Sequence, residues 1–180
     1  MKRLVAMTAA LAALAGPACA GEIFGGVYAH DADLGISICC YERGADLQLG
    51  ARTGPLSGLR RWGDFRLYGF VSGNTDGGTA FAAAGLAWRL HLGDRFYVQP
   101  GLGGAVHSGG TAKHEVPGKL ELGSRLLFEP ELAAGVKLSD RWAAEASYIH
   151  FSHAQLGGRQ NPGLDDLGVR LVYRFGTSPF

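Results

Sequence analysis

From residue 21 onward, apolar residues recur at every second position, and no stretch of any length repeats them at helical spacing. An extended backbone turns successive side chains to opposite faces, so this period specifies strands with one apolar and one polar face. Within 45–52, Leu47, Leu49 and Ala51 take one face, and Asp46, Gln48 and Arg52 the other. Within 122–138, Leu122, Leu126, Phe128, Leu132, Ala134, Val136 and Leu138 share a face opposite Arg125, Glu129, Glu131 and Lys137. Within 167–175, Leu167, Val169, Leu171, Tyr173 and Phe175 alternate with Gly168, Arg170 and Arg174. Eight strands are expected, near 22–30, 44–53, 64–73, 79–92, 95–107, 121–138, 141–152 and 165–175. Each is about nine residues or longer, enough to cross a bilayer at the tilt of a barrel.

The connectors alternate too. Segments 74–78, 108–119 and 154–164 are polar or glycine-rich, whereas 92–94 and 139–140 are tight turns. Long loops at one end and short turns at the other fit an outer-membrane barrel. Connector 53–63 should be short in this scheme and is not, which puts a strand boundary there in question.

A soluble barrel points its apolar face inward; a membrane barrel points it to lipid and fills its lumen with polar groups. The membrane version is favoured here. Arg125, Glu129, Glu131 and Lys137 could pair across a small lumen, and Phe65, Phe96, Trp142, Tyr173 and Phe175 lie near strand ends, where interfacial girdles sit. The last strand ends on an aromatic residue, Phe175, and the tail after it on Phe180. The 29 glycines have no collagen-like period and suit crowded strands in a small barrel. The expected fold class is therefore all-β, an eight-stranded antiparallel transmembrane β-barrel.

Residues ahead of the barrel read differently. Lys2 and Arg3, the apolar run 4–15 and the small residues Ala18, Cys19 and Ala20 have the form of a secretory signal peptide. Residues 1–20 are thus expected to be removed, leaving 21–180 as the barrel domain. Net charge is +1 with no basic block, which argues against a nucleic-acid partner. Cys39 and Cys40 are expected to be loop thiols or contacts between chains, since adjacent cysteines rarely bridge each other. Neither they nor His30, His91, His107 and His114 have metal-like spacing, so no metal site is expected.

The segment most suited to chemistry is 148–154. His150 and Ser152 share a strand face with Trp142, Ala144, Ala146 and Tyr148, opposite Glu145 and Ser147. That parity places both on the lipid side, where polar groups without partners are costly. With both termini periplasmic, the seventh strand ends at the outer leaflet, and Asp165 begins the next strand at the same height. A hydroxyl becomes a nucleophile when an imidazole takes its proton, and a carboxylate fixes the imidazole tautomer. Ser152, His150 and Asp165 supply these three types. His153 and Asp166 compete for the base and acid roles. Oxyanion donors are expected from His153 or from backbone N–H groups starting at Ala154.

These residues resemble a known family. The stretch Ile149-His150-Phe151-Ser152-His153-Ala154, followed by Asn161-Pro162-Gly163-Leu164-Asp165, resembles the C-terminal signature of the PagL-type lipid A 3-O-deacylases. The resemblance implies an eight-stranded outer-membrane barrel that removes the ester-linked acyl chain at the 3 position of lipid A. It implies Ser152 as nucleophile, His150 as base and Asp165 as orienting acid, with no cofactor. Two positions depart from the family pattern: Asp165 stands where Glu is usual, and His153 where Asn is usual. Lipid A within lipopolysaccharide and the surrounding outer-membrane lipids are then the expected partners, with a homodimer left open beside a monomer. The alternative is a non-enzymatic structural or adhesion barrel.

Overall fold

The computed structural model describes residues 21–176. The expected signal peptide and Phe180 lie outside the described residues. Eight strands follow one another: β1 (Gly21–Ala29), β2 (Ala45–Thr53), β3 (Asp64–Asn74), β4 (Phe81–Leu92), β5 (Phe96–His107), β6 (Leu126–Lys137), β7 (Trp142–Phe151) and β8 (Leu164–Phe175). Each pairs antiparallel with the next, and β1 pairs with β8 to close a barrel. Closure removes both sheet edges, so every strand backbone finds a partner inside lipid.

Alternation settles which face looks where. Ile23, Val27, Leu47, Leu102, Leu132 and Val169 are exposed on the outer wall. Their strand neighbours Glu22, Asp46, Arg52, Glu131 and Arg170 are buried inside. Phe65 stacks on Trp88, and Trp142 packs against Tyr173, at the barrel end where β1 begins and β8 ends.

The lumen is filled in storeys. Nearest the end where β1 begins, Glu22 accepts hydrogen bonds from Arg52, Arg66 and Arg89, the last through two donors at 2.7 and 2.8 Å. Above it, Glu145 receives Arg52 at 2.8 and 2.6 Å, Tyr97 at 2.6 Å, and Arg170, which also forks onto Glu131. Tyr68 donates to Glu129. Guanidiniums of Arg52 and Arg170 both lie 4.6 Å from the Phe24 ring. Room for these side chains comes from glycine: a Cβ at Gly135 would lie 2.2 Å from the Tyr97 ring. Toward the loops part of the filling turns apolar, with Phe81 stacked on Phe151 at 4.0 Å and Leu122, Leu127, Ile149 and Leu164 fully buried around them.

Three expectations need correction. The sixth strand starts at Leu126, not near residue 121. Gly123 takes a left-handed φ of 73°, which breaks the extended run, so Leu122 folds into the barrel mouth instead of facing lipid. Arg125 consequently stays out of the lumen and donates to the carbonyls of His107 and Gly109. Connector 54–63 is a true long turn built on a 3-10 turn at Ser57–Leu59, with both flanking strands where expected. Cys39 and Cys40 are bonded to each other. The left-handed backbone at Cys40, φ 77°, accompanies the tight ring that this adjacent pairing requires.

At the loop end, His30 sits among carboxylates, its Nε2 2.8 Å from Glu42 and its Nδ1 3.0 Å from Asp46 and 3.6 Å from Asp166. Burial opposes a charge here, but hydrogen bonds to Asp46 and Glu42 outweigh it and raise the imidazole from its ordinary 6.5 to about 10. A protonated His30 is therefore favoured in the folded barrel. Its contribution to stability is complete below pH 6.5 and is lost as pH rises through about 10. Protease resistance of loop 30–44 should accordingly fall between pH 7 and pH 10 in the wild type. His30→Gln should be more sensitive at pH 7 and lose most of that pH dependence.

Candidate active site

The site is built from the loop ends of β7 and β8. Their register sets His150 directly opposite Asp165 and Ile149 opposite Asp166. Side chains therefore alternate as a pair: His150 and Asp165 turn outward, while Ile149 and Asp166 turn into the lumen. Of the two acids weighed for the orienting role, Asp165 meets the imidazole, with its Oδ1 2.6 Å from His150 Nδ1. Asp166 belongs instead to the His30 group.

Ser152 follows on the same face as His150. Its backbone pairs with Phe128 of β6, its N–H donating to the Phe128 carbonyl at 3.2 Å and its carbonyl accepting from the Phe128 N–H at 2.7 Å. That bridge fixes Ser152 one step beyond the end of β7. Because Asp165 holds Nδ1, the ring nitrogen left to accept a proton is Nε2. Among the described residues, neither Nε2 nor the Ser152 hydroxyl has a hydrogen-bond partner. Both His150 and Ser152 are half-buried, on a wall packed from behind by Phe151 and Ile149.

Asp165 faces outward yet is fully buried. Tyr148 of β7 donates to its Oδ1 at 2.7 Å. Ser37, from loop 30–44, donates to its Oδ2 through both N–H and hydroxyl, at 3.0 and 2.6 Å. Sequence reasoning placed Tyr148 on the lipid face without a role and missed Ser37 entirely. Strand spacing held the signal for Tyr148, two residues before His150. Nothing local signals Ser37, which lies 128 residues from its partner.

The residues after Ser152 form a tight turn. His153 is buried, its Nε2 2.8 Å from the Gln160 carbonyl and its Nδ1 accepting from the Gly157 N–H at 3.1 Å. Its backbone N–H donates to Asn161 Oδ1. Both its ring and its N–H are thus engaged within the loop. Ala154 and Gln155 adopt left-handed φ values of 49° and 60°, costing about 1–2 kcal/mol each. Among the described residues, their two N–H groups have no acceptor, unlike the others from 152 to 158. Beside the turn, an apolar groove of about 480 Å³ runs along the outer wall between Gly104, Leu126, Phe128 and Leu156.

A filled barrel with a carboxylate–imidazole pair and a serine on its lipid-facing wall defines a class: membrane β-barrels with a candidate site outside the lumen. The profile of the lipid A 3-O-deacylase (PagL) family matches residues 45–174, and the chain belongs to that family. The lipid A deacylase PagL of Bordetella bronchiseptica is 28% identical over 109 residues, covering 60% of this chain and 58% of that protein. The chain thus aligns with less than two thirds of that relative's length. Among solved structures, the outer-membrane enzyme PagL superposes with a TM-score of 0.59 at 19% identity, covering 84% of this chain and 98% of that one. A de novo designed transmembrane β-barrel superposes with a TM-score of 0.57 at 9% identity, covering 88% and 97%. These two share the fold with this chain.

Proposed function

We propose that this protein is an outer-membrane esterase that hydrolyses the 3-O-linked acyl chain of lipid A, with Ser152 as nucleophile, His150 as general base and Asp165 as orienting acid. The carrying observation is the 2.6 Å contact between Asp165 and His150 on the lipid-facing wall, with His150 two residues before Ser152 along the chain. A buried carboxylate on Nδ1 leaves Nε2 unprotonated and facing its own side of the strand. Ser152 Oγ attacks the ester carbonyl while His150 Nε2 takes its proton. The oxyanion is met by the N–H groups of Ala154 and Gln155, which the strained turn keeps without internal acceptors. The glucosamine oxygen leaves with the proton from His150. Water then attacks the acyl-enzyme with the same base and releases the fatty acid.

Family membership supports this substrate, and the apolar groove supports an acyl chain. Purified protein in detergent, incubated with hexa-acyl lipid A, should yield a product lighter by one ester-linked hydroxyacyl chain in the mass spectrum. An unchanged spectrum, with the protein folded, would sink the deacylase reading.

The groove also sets a length expectation. A Cβ added at Gly104 meets only the Leu127 carbonyl, at 3.8 Å, so a larger side chain there projects into the groove without crowding the wall. Gly104→Leu should lower kcat/KM for long acyl chains by roughly 10- to 100-fold and spare short-chain esters. Turnover of a chain-length series by both proteins provides the check.

A further inference from the structure

We propose that Ser37 is a positioning residue for the hydrolytic group, clamping the Asp165 carboxylate so that it holds His150 in register; this rests on the esterase reading above. Asp165 has four donors. His150 and Tyr148 take Oδ1, at 2.6 and 2.7 Å, and the N–H and hydroxyl of Ser37 take Oδ2, at 3.0 and 2.6 Å. An aspartate carboxylate rotates easily about its last bond. Donors on Oδ1 alone do not fix that rotation; a second pair on Oδ2 does. Ser37 is the sole contributor to that second pair among the described residues.

The loop that carries Ser37 is built to deliver it. Ile36 and Ile38 on either side are 64% and 62% exposed, while Ser37 between them turns inward and is half-buried. Ile38 N–H donates to the Pro162 carbonyl at 2.9 Å, and Ala32 N–H to the backbone carbonyl of Asp165 itself at 2.7 Å. Asp31 accepts the N–H groups of Tyr41 and Glu42, which closes the loop on itself. Four contacts thus tie one loop to the β8 end where the acid sits, and two of them land on the oxygen that His150 does not use.

Without the hydroxyl, the carboxylate keeps one weaker donor on Oδ2 and gains freedom to turn away from Nδ1. His150 then spends less time with Nε2 ready to accept the Ser152 proton. Binding of the acyl chain, which involves the groove and not the acid, is unaffected. The loss therefore falls on kcat with KM unchanged, and its size follows from one hydrogen bond to a charged group, roughly 10- to 100-fold.

The test compares wild type with Ser37→Ala, Ser37→Thr and Ser37→Val, each shown folded by its heat-dependent gel shift. Two rates are read in detergent: covalent labelling of Ser152 by a fluorophosphonate, and release of fatty acid from lipid A. Ala and Val should slow both rates by the same factor at unchanged KM. Thr, which matches Val in shape and restores the hydroxyl, should recover both. Wild-type rates in Ala and Val would overturn the role of Ser37. Equal slowing in Thr and Val would overturn it as well, since shape rather than the hydroxyl would then be responsible. Wild-type labelling at Ser152 without fatty-acid release would overturn lipid A as substrate, and the labelling rates alone would then decide Ser37. A wild type that neither labels nor turns over would overturn both readings.

Discussion

Ser152→Ala is expected to leave a folded, heat-modifiable barrel and to reduce deacylation of lipid A by at least about 10³-fold. The expectation rests on how the group acts as a unit. The hydroxyl is the only atom lost, and its backbone bridge to Phe128 survives the change. His150→Ala should cost about as much, and the double variant little more than either alone, because the proposed base and nucleophile contribute to one step. Asp165→Asn keeps the shape but offers an amide where Nδ1–H needs an acceptor, so roughly 10⁴-fold in kcat is expected there. Asp166→Asn is the matched control. It sits one residue away, faces the lumen and pairs with the His30 group, so its kcat should stay close to wild type. Rates of fatty-acid release from the four single variants and the double variant decide the matter; an Asp166 variant as impaired as the Asp165 variant would contradict the assignment.

The second large effect is on stability. Glu145 holds Arg52 and Arg170 and accepts from Tyr97, all fully or nearly fully buried. Glu145→Ala should destabilise the barrel by about 3–5 kcal/mol, because the two guanidiniums would remain buried with part of their charge unmet. Glu145→Gln keeps two acceptor lone pairs and should cost less. Urea unfolding in lipid vesicles, followed by tryptophan fluorescence, measures both. The catalytic rates of the folded fraction should not change, since the site lies on the other face of the wall.

The barrel was legible in the sequence because its physics is local. Period-two alternation fixes which side chains meet lipid, and strand length and turn length fix the count and the direction of each crossing. The same parity placed His150 and Ser152 on the outer wall, and antiparallel pairing of the consecutive strands β7 and β8 brings Asp165 opposite His150. What escaped was set by single backbone angles or by long-range contacts. Gly123 delays the start of β6 to Leu126 through one left-handed residue, which no hydropathy pattern records. Cys39 and Cys40 pair where Cys40 adopts a left-handed φ. Ser37 reaches Asp165 only because β1 closes against β8, so its neighbour in space is the last strand of the chain. The expectation that the His153 ring could aid an oxyanion met a loop that already uses both ring nitrogens.

The stacked filling of the lumen, from Glu22 and its three arginines up to Phe81 against Phe151, also makes the barrel an insulator. A planar bilayer holding many copies should show no stepwise current under applied voltage, in contrast to an open porin. Small antibiotics and bile salts would gain no route through it. A cell could therefore carry this protein at high copy number and keep its electrical and chemical seal, because the chemistry proposed here happens on the outside of the wall.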